Sequence, residues 1–236
     1  MRAIFRREMQ SYFYTPAAYV FMGVFLALTS VFFGVNNLAG RSSNLMTLIA
    51  AMSYLWMLLS PVLTMRLIAG ERRQRTDQLL FSSPVSLAAV VCGKYLAACA
   101  VLLATVAVSF VYCALVAIYG TLYVAETLVA YLGVTLHGCA FIALDLFFSC
   151  FCRSQMTAVL LGLGVNLMVW IADIAGAAAT APALSRLFDF VSLYRRFEPF
   201  AQGQLRFSNV LYLLLFIFIM LFMSVRVLDA RRWSEA

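Results

Sequence analysis

The side chains able to do chemistry inside the apolar stretches of this sequence are few: Glu126, Asp145, Asp173, the single histidine His137, and six cysteines. Two facing carboxylates sharing one proton would make an aspartyl protease. Asp145 and Asp173, however, are expected at opposite depths of neighbouring helices, and "GLGVN" at 162–166 contains no Asp. A charge at a helix centre costs about 2.5–3.5 kcal/mol in a bilayer. All three carboxylates are expected to reach an interface, which lowers that cost. With one histidine there is no His-based zinc motif, and no Ser–His relay is expected around His137. Cys150 and Cys152 form one doublet with no second pair, a poor zinc set. All six cysteines lie in or beside apolar runs and read as packing. "VCGKY" contains Gly93-Lys94, but Ala88 and Tyr95 stand where a phosphate loop needs Gly and Ser/Thr. If ATP is used, another chain binds it.

The densest charge lies elsewhere. Five of the seven residues from Glu71 to Asp77 are ionisable, in a chain that is 64% apolar and 11% charged. A helix from about Gly70 to Phe81 would be polar through Asp77 and apolar at Leu79, Leu80 and Phe81. "SSP" ends it, because the residue before proline is pushed out of the α region. Ser83 as N-cap with Pro84 at the first helical position is expected to start the next helix. Charge alone fits a solvated loop as well as a docking element; for a nucleic-acid patch the segment is too small and too mixed in sign.

The elements around it follow from uncharged runs. Met9–Gly40, Ser42–Met65, Tyr95–Ala125, Thr127–Leu144, Ser154–Ala172 and Phe207–Val225 hold 32, 24, 31, 18, 19 and 19 residues. About 20 apolar residues cross a bilayer as a helix, and these runs lack the alternation of barrel strands. The spacing predicts six transmembrane helices at about 17–38, 47–68, 94–118, 124–148, 155–177 and 208–228, one all-α polytopic membrane domain over 1–236. With the N-terminus inside, twelve Arg and Lys fall on the cytoplasmic side and five outside. This predicts both termini in the cytoplasm. The first apolar run exceeds the length of a secretory signal core and is expected to remain.

Three flanking segments have their own patterns. In "MRAIFRREMQSYFYTP", Phe5, Met9, Tyr12 and Phe13 share a face opposite Arg2, Arg6 and Gln10. That predicts an interfacial helix with its apolar side in the acyl boundary, ending near Pro16. In "APALSRLFDFVSLYRRFEPF", Leu184, Leu187, Phe188, Val191 and Tyr194 form an i, i+3, i+4, i+7 stripe, predicting an outer amphipathic helix on the bilayer surface. A second short element around Phe197–Phe207 leads to the last span, with Ser208 as a candidate cap. Ala89, Gly93 and Ala97 form a small-residue seam for close helix contact, as do Gly162, Gly164, Ala172 and Gly176.

"SYFYTPAAYVFMGVFLALTSVFF", "MRLIAGERRQRTDQLLFSSPVSLAAVVCGKYLA" and "VRVLDARRW" resemble ABC-2-type transporter permeases, in particular the gliding-motility-associated branch. Members read E-R-x-x-G-T-x-E-L-L-x-x-x-P-V-S followed by G-K. Glu71, Arg72, Thr76, Leu79, Leu80, Pro84, Val85, Ser86, Gly93 and Lys94 match. Arg75 replaces the usual Gly and Gln78 the usual Glu. The resemblance implies an elbow helix at the N-terminus and gate-closing outer helices before the last span. It also implies a coupling helix at Glu71, Arg72, Arg73, Arg75, Thr76, Asp77, Gln78, Leu79, Leu80 and Pro84, docked on a separate ABC ATPase subunit. ATP and Mg would be bound by that partner, so this chain would carry no cofactor, metal or catalytic site. It further implies a dimer with a second permease copy or paralogue, contact with membrane lipids, no nucleic acid, and a place in the bacterial plasma membrane. ATP-driven export is the expected activity. The alternative is a mechanical transmitter or scaffold acting on an outer-side partner protein without solute flux.

Overall fold

The computed structural model describes residues 2–70, 86–178 and 192–234, and every element among them is helical. In chain order these are α1 (Arg2–Tyr14), α2 (Pro16–Phe33), a π-helical turn (Gly34–Ala39), α3 (Met46–Thr64), α4 (Leu87–Tyr119), α5 (Val124–Ser149), α6 (Gln155–Ala178), α7 (Leu193–Ala201) and α8 (Phe207–Ser234). Six helices are long and apolar enough to cross a membrane: Pro16–Ala39, Met46–Thr64, Leu87–Tyr119, Val124–Ser149, Gln155–Gly176 and Phe207–Arg231. The six expected crossings are all present.

Local chemistry sets the breaks between them. Thr15 is extended and Pro16 occupies the first turn of α2, where its missing N–H costs nothing; the chain therefore turns from α1 into the first span. The third span starts after Ser86 rather than at 94; the expected start at Ser83 and Pro84 lies outside the described residues. Ser86 is extended, and its hydroxyl accepts from the backbone of Ala89 at 3.4 Å. The second span ends earlier than expected. Regular helix stops at Thr64, and a tighter turn from Leu67 N to Thr64 O, 3.0 Å, carries the chain on.

α5 is the most buried crossing and packs against α3, α4, α6, α7 and α8. Its small residues allow that. A Cβ on Gly138 would lie 2.2 Å from Leu102 Cδ1 and 2.7 Å from Trp56 Nε1, and one on Gly133 would lie 2.3 Å from Phe200 Cβ. With no side chain at either position, α5 sits directly beneath the indole of Trp56 and the ring of Phe200. Phe21 and Phe25 of α2 meet Trp56 edge-on, with centroids 5.3 and 5.4 Å away, a favoured ring geometry. α2, α6 and α8 turn apolar side chains such as Leu28, Met168, Phe218 and Phe222 outward, the faces that lipid covers in a spanning helix.

Two amphipathic expectations change. Tyr12 is buried, and Phe5, Met9 and Phe13 pack partly buried against the core. The apolar face of α1 therefore meets protein, chiefly α4 and then α2. On the other side of the molecule, the stripe expected to run through Tyr194 is interrupted. Ser192 is extended and accepts from Arg195 N at 3.1 Å, so a new helix, α7, begins at Leu193. Leu193, Phe197, Phe200 and Ala201 are buried beneath it. Leu184, Leu187, Phe188 and Val191 lie outside the described residues.

Candidate functional site

The expected docking segment, from Glu71 through Pro84, lies outside the described residues; the helices leading into and out of it do not. α1 ties those two helices together. Tyr12 donates its phenol proton to the Leu63 carbonyl at the end of α3, 2.8 Å. Burial, with Glu8 close by, holds that phenol above its ordinary range, so it remains a neutral donor. One turn earlier on the same face of α1, Glu8 Oε1 pairs with Lys94 Nζ of α4 at 3.0 Å. Lys94 is 2% exposed. It is not the interfacial flank its place in the sequence suggests but a buried cation, two turns into α4. Gly93 beside it leaves room for Ile4, 3.1 Å from where a Cβ would stand, so part of the expected small-residue seam contacts α1.

A second polar cluster lies deeper, between α3, α5 and α6. Ser60 Oγ donates to Asp145 Oδ2 at 2.5 Å. Asn166 Nδ2 donates to the Met57 carbonyl at 2.9 Å and lies 3.5 Å from Ser60 Oγ. Asp145 is 3% exposed, which corrects the expectation that it reaches an interface. The carboxyl is turned inward and held by a hydroxyl, as buried polar groups must be. Glu126 is exposed at the start of α5, as expected. Asp173 is buried beside the start of α7, near Ser192 and Tyr194. Asp145 lies level with Gly162 of α6, and Asp173 is further along that helix, about 16 Å away along the axis at 1.5 Å per residue, so they make no aspartyl dyad.

His137 meets a serine of α3. Its Nδ1 lies 2.7 Å from Ser53 Oγ. The pair lacks the rest of a relay: among the described residues Nε2 has no partner, and Phe197 stacks on the ring at 4.9 Å while Phe141 meets it edge-on at 4.8 Å. Sealed between aromatic rings, the imidazole packs the core beneath α7. The six cysteines are present as thiols. Cys150 and Cys152 are buried, as packing requires, and Cys99 and Cys139 touch across α4 and α5 at 3.6 Å. Among the described residues no group of three or more His, Cys, Asp or Glu could hold a metal ion.

Sequence reasoning missed Glu8, Tyr12 and Pro61 as partners. A glutamate four residues before a tyrosine on an otherwise apolar face is the one signal that could have drawn attention to α1. Its partners lie 51 and 86 residues away, beyond the reach of any periodicity.

Six helices long and apolar enough to cross a membrane, held together by buried polar clusters, define a polytopic membrane protein. Residues 10–233 match the family model described as ABC-2 family transporter protein, and the chain belongs to that family. No curated protein matches it. Members of the family are non-catalytic permease components, and membership implies an associated ABC ATPase subunit. The protein is a multi-pass, membrane-embedded ABC-2-type permease, consistent with a bacterial inner membrane.

Proposed function

We propose that the chain couples ATP hydrolysis by its ATPase partner to export, and that segment 71–85 carries most of the coupling helix, about 70–82, that the partner grips. The observation that carries this reading is the tie between α1 and both flanks of the segment. Tyr12 holds the end of α3 and Glu8 holds the start of α4, so a push on the segment reaches three helices at once. In this reading α1 is the elbow helix, α7 and the residues before it form the outer gate, and 1–236 is a single permease domain with both termini in the cytoplasm. Two copies, or this chain and a paralogue, form the pathway. The resemblance of Glu71–Ser86 favours the gliding-motility-associated branch, with Arg75 and Gln78 adapting the knob to a more acidic groove on the partner. Charge pairs at such a contact set partner choice more than raw affinity.

Reversing Glu71 and Arg72 together (Glu71→Arg with Arg72→Glu) is expected to lower permease-dependent ATP turnover in reconstituted complexes and to leave membrane insertion intact. Unchanged turnover removes segment 71–85 from the mechanism. Flux in proteoliposomes separates export from the alternative of mechanical transmission, which predicts ATP hydrolysis dependent on an outer partner and no flux.

A further inference from the structure

We infer that Asn166 is a positioning residue: its side-chain amide stands in for the backbone N–H that Pro61 lacks, latching α3 to α6 at the point where α3 can bend. Proline inside a helix removes the hydrogen bond to the carbonyl four residues back, and its ring crowds that carbonyl. For Pro61 of α3 that carbonyl is Met57's. In a bilayer a freed carbonyl must find a donor on neighbouring structure. The donor here is Asn166 Nδ2, 2.9 Å away on α6.

The rest of the cluster aims that amide. The second direction open to Asn166 Nδ2 is Ser60 Oγ at 3.5 Å, and Ser60 in turn donates to Asp145 Oδ2 at 2.5 Å. With its proton directed at Asp145 Oδ2, the serine oxygen keeps its lone pairs free to receive the amide. Donors therefore run in one direction, from α6 through α3 to α5. Asn166 and Ser60 are fully buried, so bulk water cannot replace any member. Gly162, one turn before Asn166, brings α6 against the proline: a Cβ there would stand 2.9 Å from Pro61 Cβ and 3.2 Å from Asp145 Oδ1.

Beyond Pro61, residues 62–70 of the chain lead straight into segment 71–85. They hang from a helix that lacks one backbone hydrogen bond at its pivot, and Asn166 fixes the pivot. This role deepens the coupling reading above and rests on it; the latch itself does not.

A four-protein cycle tests the latch: the wild-type full chain, Asn166→Leu, Pro61→Ala and the double variant, each purified from membranes and followed by thermal unfolding. Asn166→Leu is expected to lower the melting temperature by about 5 °C in the wild-type background. In the Pro61→Ala background it should cost less than half as much, because the alanine restores a backbone N–H for the Met57 carbonyl. Equal losses in both backgrounds overturn the inference, since the amide would then serve some other group. If Asn166→Leu is not recovered from membranes, Asn166→Ala takes its place in the cycle. For the pivot, Asn166→Leu and Pro61→Ala are each expected to reduce permease-dependent ATP turnover at least threefold well below their melting temperatures. Full turnover in both overturns the pivot. Failure of the Glu71/Arg72 reversal would sink the coupling segment while leaving the melting cycle unaffected, so the two readings fail separately.

Discussion

Lys94 is the residue whose environment departs furthest from what its type suggests. A buried ammonium is tolerated when it is paired and hydrogen-bonded, and removing one partner of such a pair costs about 3–5 kcal/mol because the other charge is left stranded. Lys94→Met is therefore expected to destabilise the protein strongly, as measured by thermal unfolding in detergent. Combining it with Glu8→Leu should recover part of the loss, since Glu8 is no longer stranded. Tyr12→Phe removes only the bond to the Leu63 carbonyl and is expected to cost about 1 kcal/mol. A sequence can show that Lys94 follows Gly93 in a family-like pattern. It cannot show that Glu8, 86 residues away, is its counter-charge, because pairing across helices depends on where packing puts them. Asn166 was legible only as a polar residue in an apolar run. Its purpose depends on Pro61, which sits on another helix.

Among the elements, the crossings themselves were plain in the sequence. Each is a run of uncharged residues long enough to span, and the hydrophobic effect leaves such a run little choice of location. Their ends were less plain because more than one serine can cap. Ser86 caps the third crossing, and Ser192 caps α7 inside a stripe that periodicity alone would continue. α7 depends on close contact with α5, and its weak point is Gly133. A methyl group there would meet Phe200 Cβ at 2.3 Å. Gly133→Ala is expected to displace α7 and cost about 1–3 kcal/mol, with the displacement read as faster proteolysis of residues 192–206 in purified protein. Small residues facing α5 could be counted from the sequence, but which ring each one accommodates could not.

At the scale of the whole molecule, the proposed orientation makes a direct prediction. Of the native thiols, five are buried or face neighbouring helices and Cys92 is only partly exposed, so a new surface thiol should dominate labelling. Arg75→Cys is expected to react with a membrane-impermeant maleimide in inside-out vesicles and not in intact cells. The reverse result would place segment 71–85 on the outer face and detach it from any ATPase. The central position of α5 also bears on how the protein is made. A chain enters the bilayer from its N-terminal end, so Trp56 and Leu102 arrive before the glycine-lined surface that receives them at Gly138. Until residue 149 has left the ribosome, the early crossings form a socket without its plug. A nascent chain stalled in that interval would offer an unfinished surface to insertion chaperones and membrane proteases until the fourth crossing arrives.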